Sequence, residues 1–159
     1  MLFRSVSGGL AYTDAQVDTF RLPPGGNPAQ VITKGTPLAN APKWKMALGA
    51  DWTIETGGFA NIELGSQMAL QSDQIYELSP VLAVRRGATV DGYAIVDVTA
   101  ALADPDDRWK LIATVKNLFD KSFASSIVSG GPGGSFRYII PREADRYFGV
   151  TARVNFGGN

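Results

Sequence analysis

Hydrophobic and polar residues alternate with a period of two along most of this chain, and six segments carry the alternation. Successive side chains of a strand point to opposite faces, so such segments read as β-strands with one apolar face. From Lys43 to Ile54, the residues Trp44, Met46, Leu48, Ala50, Trp52 and Ile54 share one face. Lys43, Lys45, Ala47, Gly49, Asp51 and Thr53 share the other. After the turn Glu55-Thr56-Gly57-Gly58, Ala60, Ile62, Leu64, Ser66, Met68 and Leu70 alternate with Asn61, Glu63, Gly65, Gln67, Ala69 and Gln71. The last segment sets Phe148, Val150, Ala152, Val154 and Phe156 against Tyr147, Gly149, Thr151, Arg153 and Asn155. Trp109 to Lys116 alternates over a shorter run. The segment from about Val6 to Asp14 is weaker, and Tyr93 to Leu102 is partly apolar on both faces, which leaves its orientation open. The pattern predicts an all-β antiparallel up-and-down meander with strands near 2–14, 43–54, 59–71, 93–102, 109–117 and 146–156. Helix should be confined to short turns.

Two environments suit such strands. In a soluble β-sandwich or small β-barrel binding domain the apolar faces meet in a core, and 159 residues are enough for one such domain. In a membrane barrel the apolar faces meet lipid and the polar faces line water. The mid-strand amides and carboxylates favour the barrel, because a packed core would require each of them to be paired. Trp44 and Trp52 are eight residues apart on one face. That is about 27 Å along a strand, or roughly 21 Å along the axis at a tilt of about 40°, close to the ~25 Å apolar band between two aromatic girdles. Trp109 starts its strand beside a turn, and Phe148 and Phe156 lie on the apolar face of the last strand. Trp44, Trp52, Trp109, Phe148 and Phe156 are therefore candidate lipid-interface aromatics. Trp44, Met46, Leu48, Trp52, Ile62, Leu64, Val150 and Phe156 should face outward on a convex surface. Lys45, Asp51, Glu63, Gln67, Thr151 and Arg153 should face a concave one.

Connection lengths alternate between long and short: about 15–42, 55–58, 72–92, 103–108 and 117–145. Long loops are uncommon inside compact soluble domains. In a meander this alternation gathers all long loops at one rim, the form of transmembrane barrels with short periplasmic turns and long outer loops. The last strand then runs inward and ends with Phe156 near the periplasmic side.

Composition narrows the chemistry. Net charge is zero, which argues against a nucleic-acid partner. With no cysteine and no histidine, thiolate chemistry and the commonest metal ligand and general base are absent. No apolar run reaches the roughly 18–20 residues of a membrane-spanning helix, which says nothing about barrel strands. No cofactor, metal or enzymatic activity is expected. Asp104, Asp106 and Asp107 lack the spacing of a calcium loop and read as turn formers. Gly130-Gly131-Pro132-Gly133-Gly134-Ser135 lacks the ending of a phosphate loop and reads as a mobile loop tip. In Asn117-Leu118-Phe119-Asp120-Lys121 the Asn and Asp should bond local backbone and end a strand, with Leu118 and Phe119 packing the loop base. Arg85, Arg86, Arg137, Arg142 and Arg146 lie in or beside the long loops. They are candidate contacts for an anionic ligand, in competition with plain solvated charge or contact with lipopolysaccharide phosphates.

Four stretches together resemble the C-terminal part of the barrel of a TonB-dependent outer-membrane receptor. They are Gly8-Gly9-Leu10-Ala11-Tyr12-Thr13-Asp14-Ala15, Pro37-Leu38-Ala39-Asn40-Ala41-Pro42-Lys43-Trp44, the run Trp109-Lys110-Leu111 through Val115-Lys116-Asn117-Leu118-Phe119-Asp120-Lys121, and the closing Arg146 to Phe156. The third is the most specific, close to a recurrent Val-x-Asn-Leu-Phe-Asp-Lys segment. The resemblance implies that residues 1–159 are an open, curved segment of a 22-stranded transmembrane barrel, without its plug domain. It implies a place in the bacterial outer membrane and a parent receptor that imports a ferric siderophore or similar scarce nutrient. The implied partners are outer-membrane lipid, the remaining strands and plug of the parent, TonB through an N-terminal region, and the barrel-assembly machinery. The segment alone should neither close nor transport.

Overall fold

The computed structural model of the chain describes residues 2–156. Met1 and the three residues after the terminal aromatic, Gly157 to Asn159, lie outside the description. Long strands form where the period-two pattern is sustained. In chain order the elements are β1 (Leu2–Tyr12), β2 (Trp44–Ile54), β3 (Asn61–Gln71), β4 (Gln74–Ile75), α1 (Leu82–Gly87), β5 (Thr89–Val90), β6 (Tyr93–Ala103), β7 (Trp109–Lys116), β8 (Ser126–Val128), β9 (Arg137–Ile139) and β10 (Tyr147–Val154). Among the described residues, helix amounts to the six residues of α1 and three single 3₁₀ turns.

β1, β2, β3, β6, β7 and β10 form one antiparallel sheet in that order, so each long strand pairs with the next long strand in the chain. The sheet is open: β1 and β10 are its edges and do not pair with each other. The expected six-strand meander is the observed one, with ends shifted by one or two residues. The expected alternation of connections also holds. Residues 13–43, 72–92 and 117–146 make long links at one rim, and 55–60 and 104–108 make short links at the other.

Register decides the face of every wall residue, because directly paired residues share a face. Trp52, Leu64, Ala100, Ala113 and Val150 form one continuous row across five strands. Thr53, Glu63, Ala101, Ile112 and Thr151 form the neighbouring row on the opposite face. The orientation of β6 is thereby settled: Ala94, Val96, Val98, Ala100 and Leu102 join the apolar face, and Asp97 and Thr99 the polar one.

Apart from Ala101 and Ala103 in β6, the buried hydrophobic residues lie outside the wall strands. A small cluster of Ala88, Ala124 and Ile127, with Tyr76, Val90 and Phe136 against it, sits between the second and third long loops. The apolar face of the wall stays open, with Val150 75% exposed and Val6 82% exposed. A soluble sandwich would have covered that face with a second layer.

Candidate functional site

The apolar face is bordered by aromatics at both rims. At the long-loop rim Trp44 packs against Tyr12, with ring centroids 4.6 Å apart. At the short-turn rim the half-buried Trp109 stacks on the exposed Phe59, centroids 6.4 Å apart, which joins the two short turns. Trp52 lies near that same rim, opposite Leu64. Phe148 carries the Arg146 guanidinium 5.9 Å from its ring centroid, and Phe156 is 92% exposed beyond the end of β10. Tyr12 and Phe59 were not among the aromatics singled out from sequence. Each had a signal: Tyr12 ends the apolar alternation of its strand, and Phe59 follows the Gly57-Gly58 turn.

The opposite face pairs its charges across strands. Lys110 donates to Glu63, and Lys116 donates to Asp97 Oδ2 at 2.7 Å. Asp51 accepts from Ser5 at 3.4 Å. These groups are only partly covered, so water remains near them, as a wet lumen wall requires.

The long loops are folded rather than structureless. β4 pairs with β5 and β8 with β9, and α1 lies between β4 and β5. Tyr76 Oη donates to the Ala124 carbonyl at 3.1 Å, and the Asn40 amide donates to the Ile75 carbonyl at 2.9 Å, so the three loops are tied together. Gly87 leaves room for Phe136: a Cβ there would lie 2.2 Å from the ring. Gly130 to Ser135 form the tip of the β8–β9 hairpin, where Gly133 and Gly134 adopt positive φ (+69° and +76°).

Asn117 is the knot at the base of this crown. It is 1% exposed and has φ of 50°. Its Nδ2 donates to the carbonyls of Lys121 (3.1 Å) and Glu143 (3.2 Å), and its Oδ1 accepts from the Lys121 amide (2.9 Å). Its own amide donates to Asp97 Oδ1 at 2.9 Å. Asp120 then accepts from the Arg146 amide at 2.9 Å. One buried side chain therefore holds both stems of the third long loop. Phe119 departs from expectation: it is 71% exposed and does not pack the loop base, because Asn117 and Asp120 at positive φ turn the chain outward around it.

The five arginines are spread over different elements. Arg85 and Arg86 are in α1, Arg137 is in β9, Arg142 is in a 3₁₀ turn, and Arg146 precedes β10. Arg85 donates to the Ser79 carbonyl at 2.7 Å, Arg142 lies over Tyr147, and Arg146 donates to the Leu118 carbonyl at 3.3 Å. Three of the five thus serve the loop fold itself.

A wall with one open apolar face, aromatic rims, an ion-paired reverse face and a loop crown is the form of a membrane barrel. Residues 3–118 match the family model described as TonB dependent receptor-like, beta-barrel. The chain belongs to this family. The match covers the first five wall strands and ends inside the Asn117–Lys121 knot. No curated protein and no solved structure matches the chain. Membership in the TonB-dependent receptor family carries a receptor-type transport role and not an enzymatic one.

In this receptor segment the short turn after β6 has its own fastening. The Asp104 carboxylate accepts from Arg108 Nε (2.7 Å), Nη2 (2.9 Å) and the backbone amide (3.1 Å). These bonds from Arg108 hold the Asp104 carboxyl below its ordinary value, outweighing the opposing effect of burial. A depressed folded-state value contributes stability that is complete above the unfolded value of about 3.9 and is lost as pH falls through the lower folded one. Amide exchange at Arg108 should therefore stay slow down to the ordinary aspartate range and quicken only below it. Exchange that already quickens well above about 3.9 would contradict this fastening.

Proposed function

We propose that the chain is the C-terminal portion of a 22-stranded receptor barrel in the bacterial outer membrane. The parent receptor imports a ferric siderophore or a similar scarce nutrient with energy passed from TonB. One observation carries this reading: a sheet whose apolar face is exposed while its polar face is ion-paired, in a chain of the TonB-dependent receptor family. Lipid covers the apolar face. The remaining strands of the parent pair with the edges β1 and β10, and a plug occupies the lumen beside the polar face. TonB is engaged through an N-terminal region of the parent. Trp44, Trp52, Trp109, Phe148 and Phe156 sit at the lipid interfaces, and the loop arginines Arg85, Arg86, Arg137, Arg142 and Arg146 help attract an anionic chelate.

Iron uptake from a panel of ferric siderophores, in cells where the parent receptor is the importer, tests the transport reading. Uptake of at least one chelate should disappear when TonB is deleted. Uptake that is equal with and without TonB would overturn it. A second expectation concerns assembly, with Phe156 as part of the closing strand read by the barrel-assembly machinery. Phe156→Glu in the parent should lower the amount inserted in the outer membrane several-fold, measured by surface labelling. Unchanged insertion and uptake would argue against that role.

A further inference from the structure

The last strand of the wall is held differently from the others. Among the described residues, salt bridges from β7 reach β3 and β6, through Lys110 with Glu63 and Lys116 with Asp97, and none reaches β10. Past Tyr147, every residue of β10 is exposed. Its apolar face sets Phe148, Val150, Ala152 and Val154 opposite Val115, Ala113, Leu111 and Trp109. A slip of one residue would turn that face over, and the alternation forbids it. A slip of two keeps every apolar residue on its face, with Val150 opposite Val115 or Leu111, so the alternation alone does not forbid it.

The two residues that flank β10 supply what the pattern lacks. Before the strand, the Arg146 amide donates to Asp120 Oδ1 at 2.9 Å, and Arg146 Nη1 donates to the Leu118 carbonyl at 3.3 Å. After it, the Asn155 amide donates to the Arg108 carbonyl at 2.9 Å. Asn155 Nδ2 donates to the Asp107 carbonyl at 2.6 Å and to Asp107 Oδ2 at 3.3 Å. These acceptors lie just beyond the two ends of β7, and each is anchored by bonds that do not involve β10. The Asp120 amide donates to the Asn117 carbonyl, and Arg108 is fixed by Asp104. A slip of two displaces β10 by about 7 Å and breaks both grips at once.

We propose that Asp120 and Asn155 are the register-determining residues of the closing strand: they hold β10 against β7 in the one alignment from which the parent barrel closes. The inference rests on the reading of β10 as a barrel strand whose free edge meets the rest of the parent. Strand number, tilt and stagger are linked in a closed barrel, so an edge offset by two residues presents its ladder to the wrong partners.

The test is made in the parent receptor, with surface labelling as the measure of insertion. Asp120→Gly removes the acceptor and keeps the positive φ of 54°. Asn155→Asp replaces the amide donor with a carboxylate facing Asp107. The two changes together should lower insertion about ten-fold, the size of one or two hydrogen bonds. Cysteine pairs then separate register from general damage, since residues 1–159 contain no cysteine of their own. Thr151 and Ile112 are directly paired, with Cα atoms about 4.5–5.5 Å apart and within disulfide reach. Thr151 and Thr114 lie on the diagonal, roughly 7–8 Å apart, and come opposite each other only after a slip of two. Added to the doubly changed receptor, the Thr151→Cys/Ile112→Cys bridge should restore most of the insertion, and Thr151→Cys/Thr114→Cys should not. Insertion unaffected by the two changes would overturn the proposal. So would a loss that the native-register bridge fails to restore, or that both bridges restore alike. Those failures leave the barrel reading standing, whereas a wild-type parent missing from the outer membrane would overturn both.

Discussion

Leu48→Arg should destabilise the wall in a bilayer by about 2–4 kcal/mol, the penalty for a cation on the lipid face near the midplane of a membrane barrel. Leu48 lies midway between Trp44 and Trp52 on the apolar face and is paired with Met68. Its side chain is 42% exposed and has nothing polar to meet there. Gln67→Arg, on the neighbouring row of the opposite face, is the control. That position is on the polar face and pairs directly with Asp97, so its effect should stay within about 0.5 kcal/mol. Urea unfolding of the parent receptor in lipid vesicles measures both. Equal effects at the two positions would mean that the two faces meet the same medium.

Removing the Asn117 side chain should cost about 3 kcal/mol, among the larger effects of a single substitution, because it breaks a buried network at several points. Asn117→Ala leaves the Lys121 amide and the carbonyls of Lys121 and Glu143 without their partner. It also places a residue with a Cβ but no polar compensation at φ of 50°. Asn117→Gly relieves the backbone but restores no bond, so it should recover only part of the loss. Asn117→Asp keeps the acceptor for the Lys121 amide but sets a buried carboxylate oxygen against the Lys121 and Glu143 carbonyls, so it should cost at least as much as Ala. Hydrogen exchange should quicken first in residues 118–146 and leave β2 and β3 protected. A loss below about 0.5 kcal/mol for the Ala variant would show that the third loop is held by something else.

The wall was legible in the sequence because its information is local. Eleven-residue alternations such as Trp44 to Ile54 specify strand, face and register together. β6 was ambiguous for the same reason: Ile95 and Ala101 make its polar face partly apolar, and only pairing with β3 decides it. The loop crown was not legible. β4, β5, β8 and β9 are two or three residues each and exist through contacts between segments far apart in the chain, such as Tyr76 with Ala124. The strand-ending role of Asn117 and Asp120 could be read from residue type. The exposure of Phe119 could not, since it depends on two consecutive turns at positive φ. The arginines were visible as charges, but the carbonyls and rings that occupy Arg85, Arg142 and Arg146 come from the folded loops.

The account stands on the claim that the apolar face of the wall meets lipid. All three tryptophans of the chain, Trp44, Trp52 and Trp109, belong to that face. Their fluorescence in bilayers of acyl-chain-brominated phospholipid tests the claim directly. Strong quenching by the brominated chains, with little quenching by aqueous iodide, is the expected result. Tryptophans reached by iodide and untouched by bromine, or shielded from both, would contradict it.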